Sequence, residues 1–408
     1  MPLDFEKVWQ LFELNKPKIL NLSKEQIKSL NIFNKIAEKY FALSYNDLIY
    51  TLNKINTPRG SIPTEEYKNG LIIPFNIKFK NHEEALKWAF DNVKNKVSVS
   101  CDGSQIFPTD ELNIPIGLVQ VLSYTNFHTQ NQNSYKIDRE IKLITPDELI
   151  YKNKISNVSE IGNEPVDTIR FQTEMDLLSD QMELLFNSEN RPENVFFLFD
   201  GSLILSFIMR FADVHQDIFL NSLKKGIDNS EKYRWPLIGF IDSSSAKDIL
   251  QMLSVLDNIE IKDPNLSDSG LLEYYLYFSK NIKLNWGDRS CTFICERNDP
   301  IYLQYPSIIQ SQIAFFYIKL NSLNPARVEF PTWCLKYPKI IEEIANILRI
   351  ESIIGSGYPI TIDNCHHKVI ITNQDRLKFI RLFQKFGELN NFDVKIKNKS
   401  RAKLKFIR

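Results

Sequence analysis

The sequence predicts an α/β fold, a mixed sheet flanked by helices, with an N-terminal helical extension. Three observations point to it. Val195-Phe-Phe-Leu-Phe-Asp200-Gly-Ser202 reads as a short apolar strand covered on both faces and ending in a carboxylate and a turn. The same grammar occurs earlier, in Val97-Ser-Val-Ser-Cys-Asp102-Gly-Ser104. Between and after these runs, strand candidates first follow one another closely and then alternate with helices as far as Asp242. Antiparallel strands followed by parallel ones joined by helices is the order of an RNase H-like (Piwi-like) sheet.

The chain has 408 residues, 43% hydrophobic and 25% charged, enough for two or three domains. No apolar run approaches the ~18 residues of a membrane span. The Met-Pro-Leu-Asp-Phe-Glu start lacks a signal-peptide profile, and five cysteines form no disulfide framework, so a cytoplasmic setting is expected. Cys291 and Cys295 read as core thiols rather than zinc ligands. Lys plus Arg equals Asp plus Glu at 50 each, so a nucleic-acid surface would have to be local. Thirteen glycines and no Walker-type or dinucleotide-type loop argue against a glycine-rich phosphate cradle.

Residues 1 to about 55 read as helical, with Leu3, Val8, Leu11 and Phe12 on one stripe and a capping box at Ser23 and Gln26. Thr57-Pro-Arg-Gly-Ser-Ile-Pro-Thr is a linker by composition. This sets residues 1–80, a helical arm or cap with its linker, apart from 81–408. Phe75 to Phe79 is a strand candidate, and Asn81 caps a short helix. Strands are expected at 97–102, 116–124 and 139–144, then a long helix from Val166 to Phe186. The Asp200 strand follows, with a helix from Ser206 to Lys224, a strand from Trp235 to Asp242, and a helix opened by Ser243-Ser-Ser-Ala-Lys247. Later strands are expected at 291–294, 313–318 and 326–330, and a helix from Tyr337 to Leu348. The tail from Lys395 is basic (Lys397, Lys399, Arg401, Lys403, Lys405, Arg408), either a solvated edge strand or a phosphate-contacting rim.

Two strands ending in aspartate would bring Asp102 and Asp200 to one sheet edge, where divalent metal and phosphodiester chemistry become feasible; two ordinary Asp-Gly turns are the alternative. The long helix supplies a third acid. Phe171, Glu174, Leu178, Met182 and Leu185 share one face, so Glu174 interrupts an apolar stripe, which is costly unless the carboxylate is paired or metal-bound. Glu183 lies about half a turn away on the solvated side and is the fallback. In Cys365-His366-His367 the adjacent histidines face different ways, so at most one enters a site.

These pieces together resemble the NurA-type DNA double-strand-break repair nucleases. The similarity rests on Glu84-Ala-Leu-Lys-Trp-Ala, Asp102-Gly-Ser-Gln-Ile, Ile114-Pro-Ile-Gly-Leu-Val-Gln-Val, Phe199-Asp200-Gly-Ser-Leu-Ile and Gly287-Asp-Arg-Ser. It continues through Phe315-Phe-Tyr, Ala326-Arg-Val-Glu-Phe-Pro-Thr-Trp and Gly357-Tyr-Pro with Cys365-His366. The resemblance implies an RNase H-like nuclease that degrades DNA ends with Mn2+ (or Mg2+), as a ring-like homodimer beside the hexameric translocase HerA. It places the family's acids on Asp102, Asp200 and either Glu174 or Glu183, and its Tyr-and-His motif on Tyr358 and His366. Where the family has Ala-His, this chain has Cys365-His366-His367. His366 would complete a metal site or relay a proton, and Tyr358 would pack or hydrogen-bond near the scissile phosphate. Arg289, Arg327 and Lys247 are candidates for phosphate contacts, the arginines equally for pairing with structural acids.

Two other classes stay open. An actin-like ATPase would need glycine-rich loops and would show an ATP-dependent thermal shift. A non-catalytic docking subunit of a translocase would show no metal-dependent cleavage.

Overall fold

The computed structural model describes residues 3–109, 112–129, 134–279, 284–301 and 312–395; the basic tail beyond Lys395 lies outside them. The chain opens with helix α1 (Phe5–Phe41) and α2 (Tyr45–Leu52), then strands β1 (Gly60–Pro63) and β2 (Ile72–Ile73) and helix α3 (His82–Asn92). Strands β3 (Lys96–Ile106), β4 (Gly117–Asn126) and β5 (Tyr135–Ile144) follow, with a small ribbon of β6 (Ile150–Lys152) and β7 (Ser159–Ile161). Next come α4 (Glu164–Phe186), β8 (Asn194–Asp200), α5 (Asp213–Tyr233), β9 (Leu237–Ile241), α6 (Asp248–Asp257) and α7 (Asp268–Ser279). The last part holds β10 (Arg289–Ser290), β11 (Phe293–Glu296), β12 (Ile313–Ile318), β13 (Ala326–Pro331), α8 (Pro338–Ile354), α9 (Ile360–Val369) and α10 (Asn373–Leu389). Eleven strands, β1–β5 and β8–β13, belong to one mixed sheet.

The chain forms two compact units: one of residues 1–76, 241–298 and 314–328, the other of 77–240, 299–313 and 329–408. A single cut near residue 80 is therefore corrected. The N-terminal segment is not a separate arm, because the far end of α1 is core of the first unit. Phe33, Ile36, Ala37 and Tyr40 are buried there, and the Tyr40 hydroxyl donates to the Leu256 carbonyl at 2.6 Å. Helix α1 also runs unbroken past residue 23, so no helix starts there. Its early turns expose Phe5, Trp9, Leu11, Phe12 and Leu14.

In the first unit, buried charges are matched to one another. The Arg327 side chain, 1% exposed, lies 2.8 Å from Asp248, and Arg297 binds the same carboxylate at 2.6 and 2.9 Å. Despite full burial, these two guanidinium groups hold Asp248 below the ordinary carboxylate range. Asp268 accepts the backbone N–H groups of Ile249 and Leu250, capping α6, and the Tyr317 hydroxyl. Its carboxyl is pushed up to about 7 by burial and by the charge of Asp248. Arg289, 2% exposed, forks onto Glu66 at 2.6 and 2.9 Å. Arg289 and Arg327 are thus corrected as phosphate contacts: both are enclosed and act as counter-ions to structural acids, where removal of either would strand a buried charge. Lys247 gives its ammonium to the carbonyls of Asp263 and Pro264, closing a loop, and its side chain does not cap α6.

In the second unit, β3 pairs antiparallel with β4, and β4 with β5, while β8 runs parallel to β3 and β9 parallel to β8. The spatial order β9-β8-β3-β4-β5 is the RNase H-like arrangement expected from the sequence. Alternation gives β3 two different faces. Helix α9 covers the face of Leu122 and Tyr124 through Cys365 and Val369. Helix α4 covers the other, where Phe171 meets Phe199 edge-on and stacks on Phe219 at 4.6 Å.

Three local expectations differ. Phe75–Phe79 is not a strand, and the Phe75 N–H donates instead to the Asp288 carboxylate at 2.9 Å. The helix expected from Ser206 is a short 3-10 turn, broken at extended Phe211 before α5 begins. Asp102-Gly-Ser104 is no turn: β3 continues through it to Ile106, because β4 stays hydrogen-bonded alongside. Cys291 and Cys295 are buried free thiols.

Candidate metal centre

The parallel register of β3 and β8 runs from Lys96 opposite Asn194 to Cys101 opposite Phe199. One step further, Asp102 and Asp200 come level on adjacent strands, which lie about 4.8 Å apart in any sheet. In register-matched parallel strands side chains point to the same face, so two carboxylates meet where the apolar run of β8 stops. After β8, Gly201 takes a left-handed φ of 148° and the chain turns away. That turn is fixed by Glu329 of β13, which accepts the Ser202 hydroxyl at 2.9 Å and the Leu203 N–H at 2.7 Å.

The third group comes from α9. Thr361, at its start, donates its N–H and hydroxyl to buried Glu351 at 2.7 and 2.8 Å. Glu351 in turn lies 3.2 Å from the His128 ring, which holds its carboxylate low despite burial. One turn on, the Cys365 thiol faces the carbonyls of Ser100 and Leu122. With Cys365 seated on the sheet, His366 projects over the edge and its Nδ1 lies 2.7 Å from Asp102 Oδ2. His367 points elsewhere, to Asp363 at 3.4 Å. Ligand atoms of Asp102, Asp200 and His366 all fall within 4.8 Å of one another.

Tyr358 stands in the turn between α8 and α9, where Ser356 and Gly357 adopt left-handed φ values of 57° and 111°. Its hydroxyl donates to Asp200 Oδ1 at 3.0 Å and its ring meets Phe240 edge-on at 5.5 Å. Desolvation by these neighbours pushes the Asp200 carboxyl up, the Tyr358 hydrogen bond pulls it back, and the charge of Asp102 raises it again. On the nuclease activity that the sequence resemblance implies, Tyr358→Phe is expected to slow metal-dependent DNA cleavage ~10-fold, the lower end for groups that orient a ligand; an unchanged single-turnover rate would make Tyr358 a packing residue only.

Glu174 lies on the side of β3 that α4 covers, against Gly103. Gly103 makes this possible: a Cβ there would lie 2.7 Å from Glu174 Oε1 and 2.7 Å from Arg170 Cγ. The missing side chain leaves a window for the buried carboxylate, 3% exposed, which feels the charges of both aspartates. Burial pushes Glu174 up to about 8; Arg170 opposes this, and the charges of Asp102 and Asp200 add to it. Glu183 is exposed on the far side of α4. The structure therefore gathers Asp102, Asp200, His366 and Tyr358; Glu174 feels the charges of both aspartates but lies outside that cluster, and Glu183, Arg289, Arg327 and Lys247 are not part of it. Sequence reasoning missed Gly103 as a window and the His128–Glu351 support of α9, for which no local spacing gives a signal. It also missed Arg170, whose signal was its position four residues before Glu174.

The raised Glu174 value gives a pH dependence. The folded chain holds this proton up to about 8, the unfolded chain only to the ordinary carboxylate range. The stability this contributes is complete at low pH and lost as pH climbs from about 4.5 through 8. Without divalent metal, the melting temperature is expected to fall between pH 5 and 8, and Glu174→Gln to flatten much of that slope, Asp268 supplying the remainder. An identical slope in wild type and variant would contradict this.

An RNase H-like sheet with two aspartates and a histidine converging at the end of a parallel strand defines a candidate metal-dependent hydrolase. A family model described as the NurA domain matches residues 98–371, and the chain belongs to the NurA family of DNA-repair nucleases. No curated protein matches the chain. Among solved structures, the Argonaute of A. aeolicus is similar at 11% identity and a TM-score of 0.26, over 67% of this chain and 28% of that one. The fold assignment rests on the strand order itself. No helix among the described residues is long and apolar enough to cross a membrane.

Proposed function

We propose that this protein is a divalent-metal-dependent deoxyribonuclease that hydrolyses phosphodiesters at DNA ends during double-strand-break repair. The observation that carries the reading is the convergence of Asp102, Asp200 and His366 within 4.8 Å, with buried Glu174 behind them. The donor set fits the group: carboxylates and an imidazole suit Mn2+ or Mg2+. Glu174, costly as a lone buried charge, gains a reason to be there. Asp102, Asp200, Glu174 and His366 would hold the ion. Once bound, it would make an attacking water more acidic and stabilise charge on the phosphoryl group.

The other work falls to the chain itself. Tyr358 fixes the orientation of Asp200, and the Gly103 window positions Glu174. His366, against Asp102 and open to solvent, completes the site or accepts a proton from the attacking water. Exonuclease action, with single-strand endonuclease action as a second mode, use of manganese, a homodimer, a cytoplasmic setting and a HerA-type translocase are parts of the same proposal. The resemblance supports them, and the exposed apolar turns of α1 offer such a partner a surface.

The test uses end-labelled linear DNA with Mn2+, Mg2+ or EDTA. Shortening that needs metal supports the reading. Silence with every metal, repeated with the translocase and ATP, would leave a docking subunit in its place.

A further inference from the structure

Arg170 lies across the window that admits Glu174. Its Cγ and Cδ pass over Gly103, at 2.7 and 3.1 Å from where a Cβ would be. Yet its bonds there are long: 3.4 Å from Nη1 to the Gly103 carbonyl and 3.7 Å to Glu174 Oε1. The buried Nε donates to no described atom. A guanidinium serving only as counter-ion to a buried carboxylate forks onto it closely, as Arg289 does on Glu66 at 2.6 and 2.9 Å. Here the carboxylate is 4% exposed while a third of the arginine side chain is open to solvent. The charge of Arg170 also lowers Asp200 and Asp167, so its field extends to an acid of the candidate site. A planar group with five N–H donors and only long contacts, at the rim of a site for phosphodiesters, matches the geometry of a phosphate oxyanion.

We propose that Arg170 contacts a non-bridging oxygen of the phosphate to be cleaved, and so is a catalytic residue of this site. The inference rests on the nuclease reading and adds a residue to it. With the acids neutralised, Arg170 would not be needed to balance Glu174, and its donors would be available to the substrate. In the transition state the added charge on the phosphoryl oxygens strengthens that contact.

The experiment compares wild type, Arg170→Gln and Arg170→Lys. Binding of pentathymidylate is measured by anisotropy with Ca2+, cleavage of the same strand in single turnover with Mn2+, and Mn2+ affinity by calorimetry. Expected for Arg170→Gln are ~10-fold weaker DNA binding, cleavage slowed ~10²-fold as for loss of one charge-stabilising donor, and Mn2+ affinity no weaker than wild type, since a cation competing for Glu174 is gone. Arg170→Lys, keeping a point charge, falls between; should the Gln variant fail to fold, this pair decides.

Arg170→Gln that binds and cleaves like wild type overturns the proposal. So does a defect erased by saturating Mn2+, which would make Arg170 only the counter-ion of Glu174. Wild type that neither binds nor cleaves overturns the nuclease reading and this inference with it, whereas an active wild type beside an unaffected variant overturns this inference alone.

Discussion

Asp200→Asn is expected to slow metal-dependent DNA cleavage by at least ~10³-fold while leaving the fold intact. The size follows from the role: ion-mediated stabilisation of phosphoryl charge contributes several kcal/mol, and each 1.36 kcal/mol is tenfold in rate. Asparagine keeps the shape at the end of β8 but removes the charge that would share an ion with Asp102. Metal-free stability is expected to move the other way. Asp200 sits beside Asp102 and is pushed up by desolvation, so a neutral side chain relieves repulsion and the melting temperature holds or rises. Loss of activity with a maintained melting temperature, and a lost thermal response to Mn2+, would place the site at Asp200. Cleavage at the wild-type rate would remove Asp102, Asp200 and His366 from consideration together.

The second large effect is expected from one added methyl group. In Gly103→Ala, the new Cβ would sit 2.7 Å from Glu174 Oε1 and 2.7 Å from Arg170 Cγ, closer than packed atoms tolerate. Arg170 can swing aside. Glu174 cannot do so easily, because α4 is pinned to the sheet by Phe171, Met175, Leu178 and Met182, all buried. The expected cost is ~1–3 kcal/mol of stability from overpacking and on the order of 10²-fold in cleavage rate, since sub-ångström displacement of a ligand suffices for that. Denaturant unfolding and single-turnover cleavage measure the two parts. A destabilised but fully active variant would show that Glu174 need not approach Asp102.

Much of this site was legible because periodic patterns report faces. The strands ending at Asp102 and Asp200 pointed to two carboxylates at one sheet edge, and the stripe through Phe171, Leu178 and Met182 showed Glu174 facing inward. The adjacent histidines divided as helical geometry requires. Patterns do not report what lies across a face. Asp102-Gly-Ser104 has the composition of a turn, and only pairing with β4, residue by residue along Asn126 to Leu118, keeps it extended. Arg289 and Arg327 carry no sign of their burial, since the acid that encloses Arg289 is 223 positions away. The two-unit division was hidden for the same reason, as residues 241–298 and 314–328 leave one neighbourhood and join another.

The distance between Asp102 and His366 along the chain, 264 positions, has a consequence for synthesis. At ~5–20 residues per second, a ribosome needs roughly 13 to 53 s to travel from one to the other. Throughout that interval the chain lacks the histidine, and for its first 98 positions, from 102 to 200, it lacks Asp200 as well. On the nuclease reading the chain would thus emerge inert, and one that stalls or is clipped before residue 360 would lack His366 and stay so.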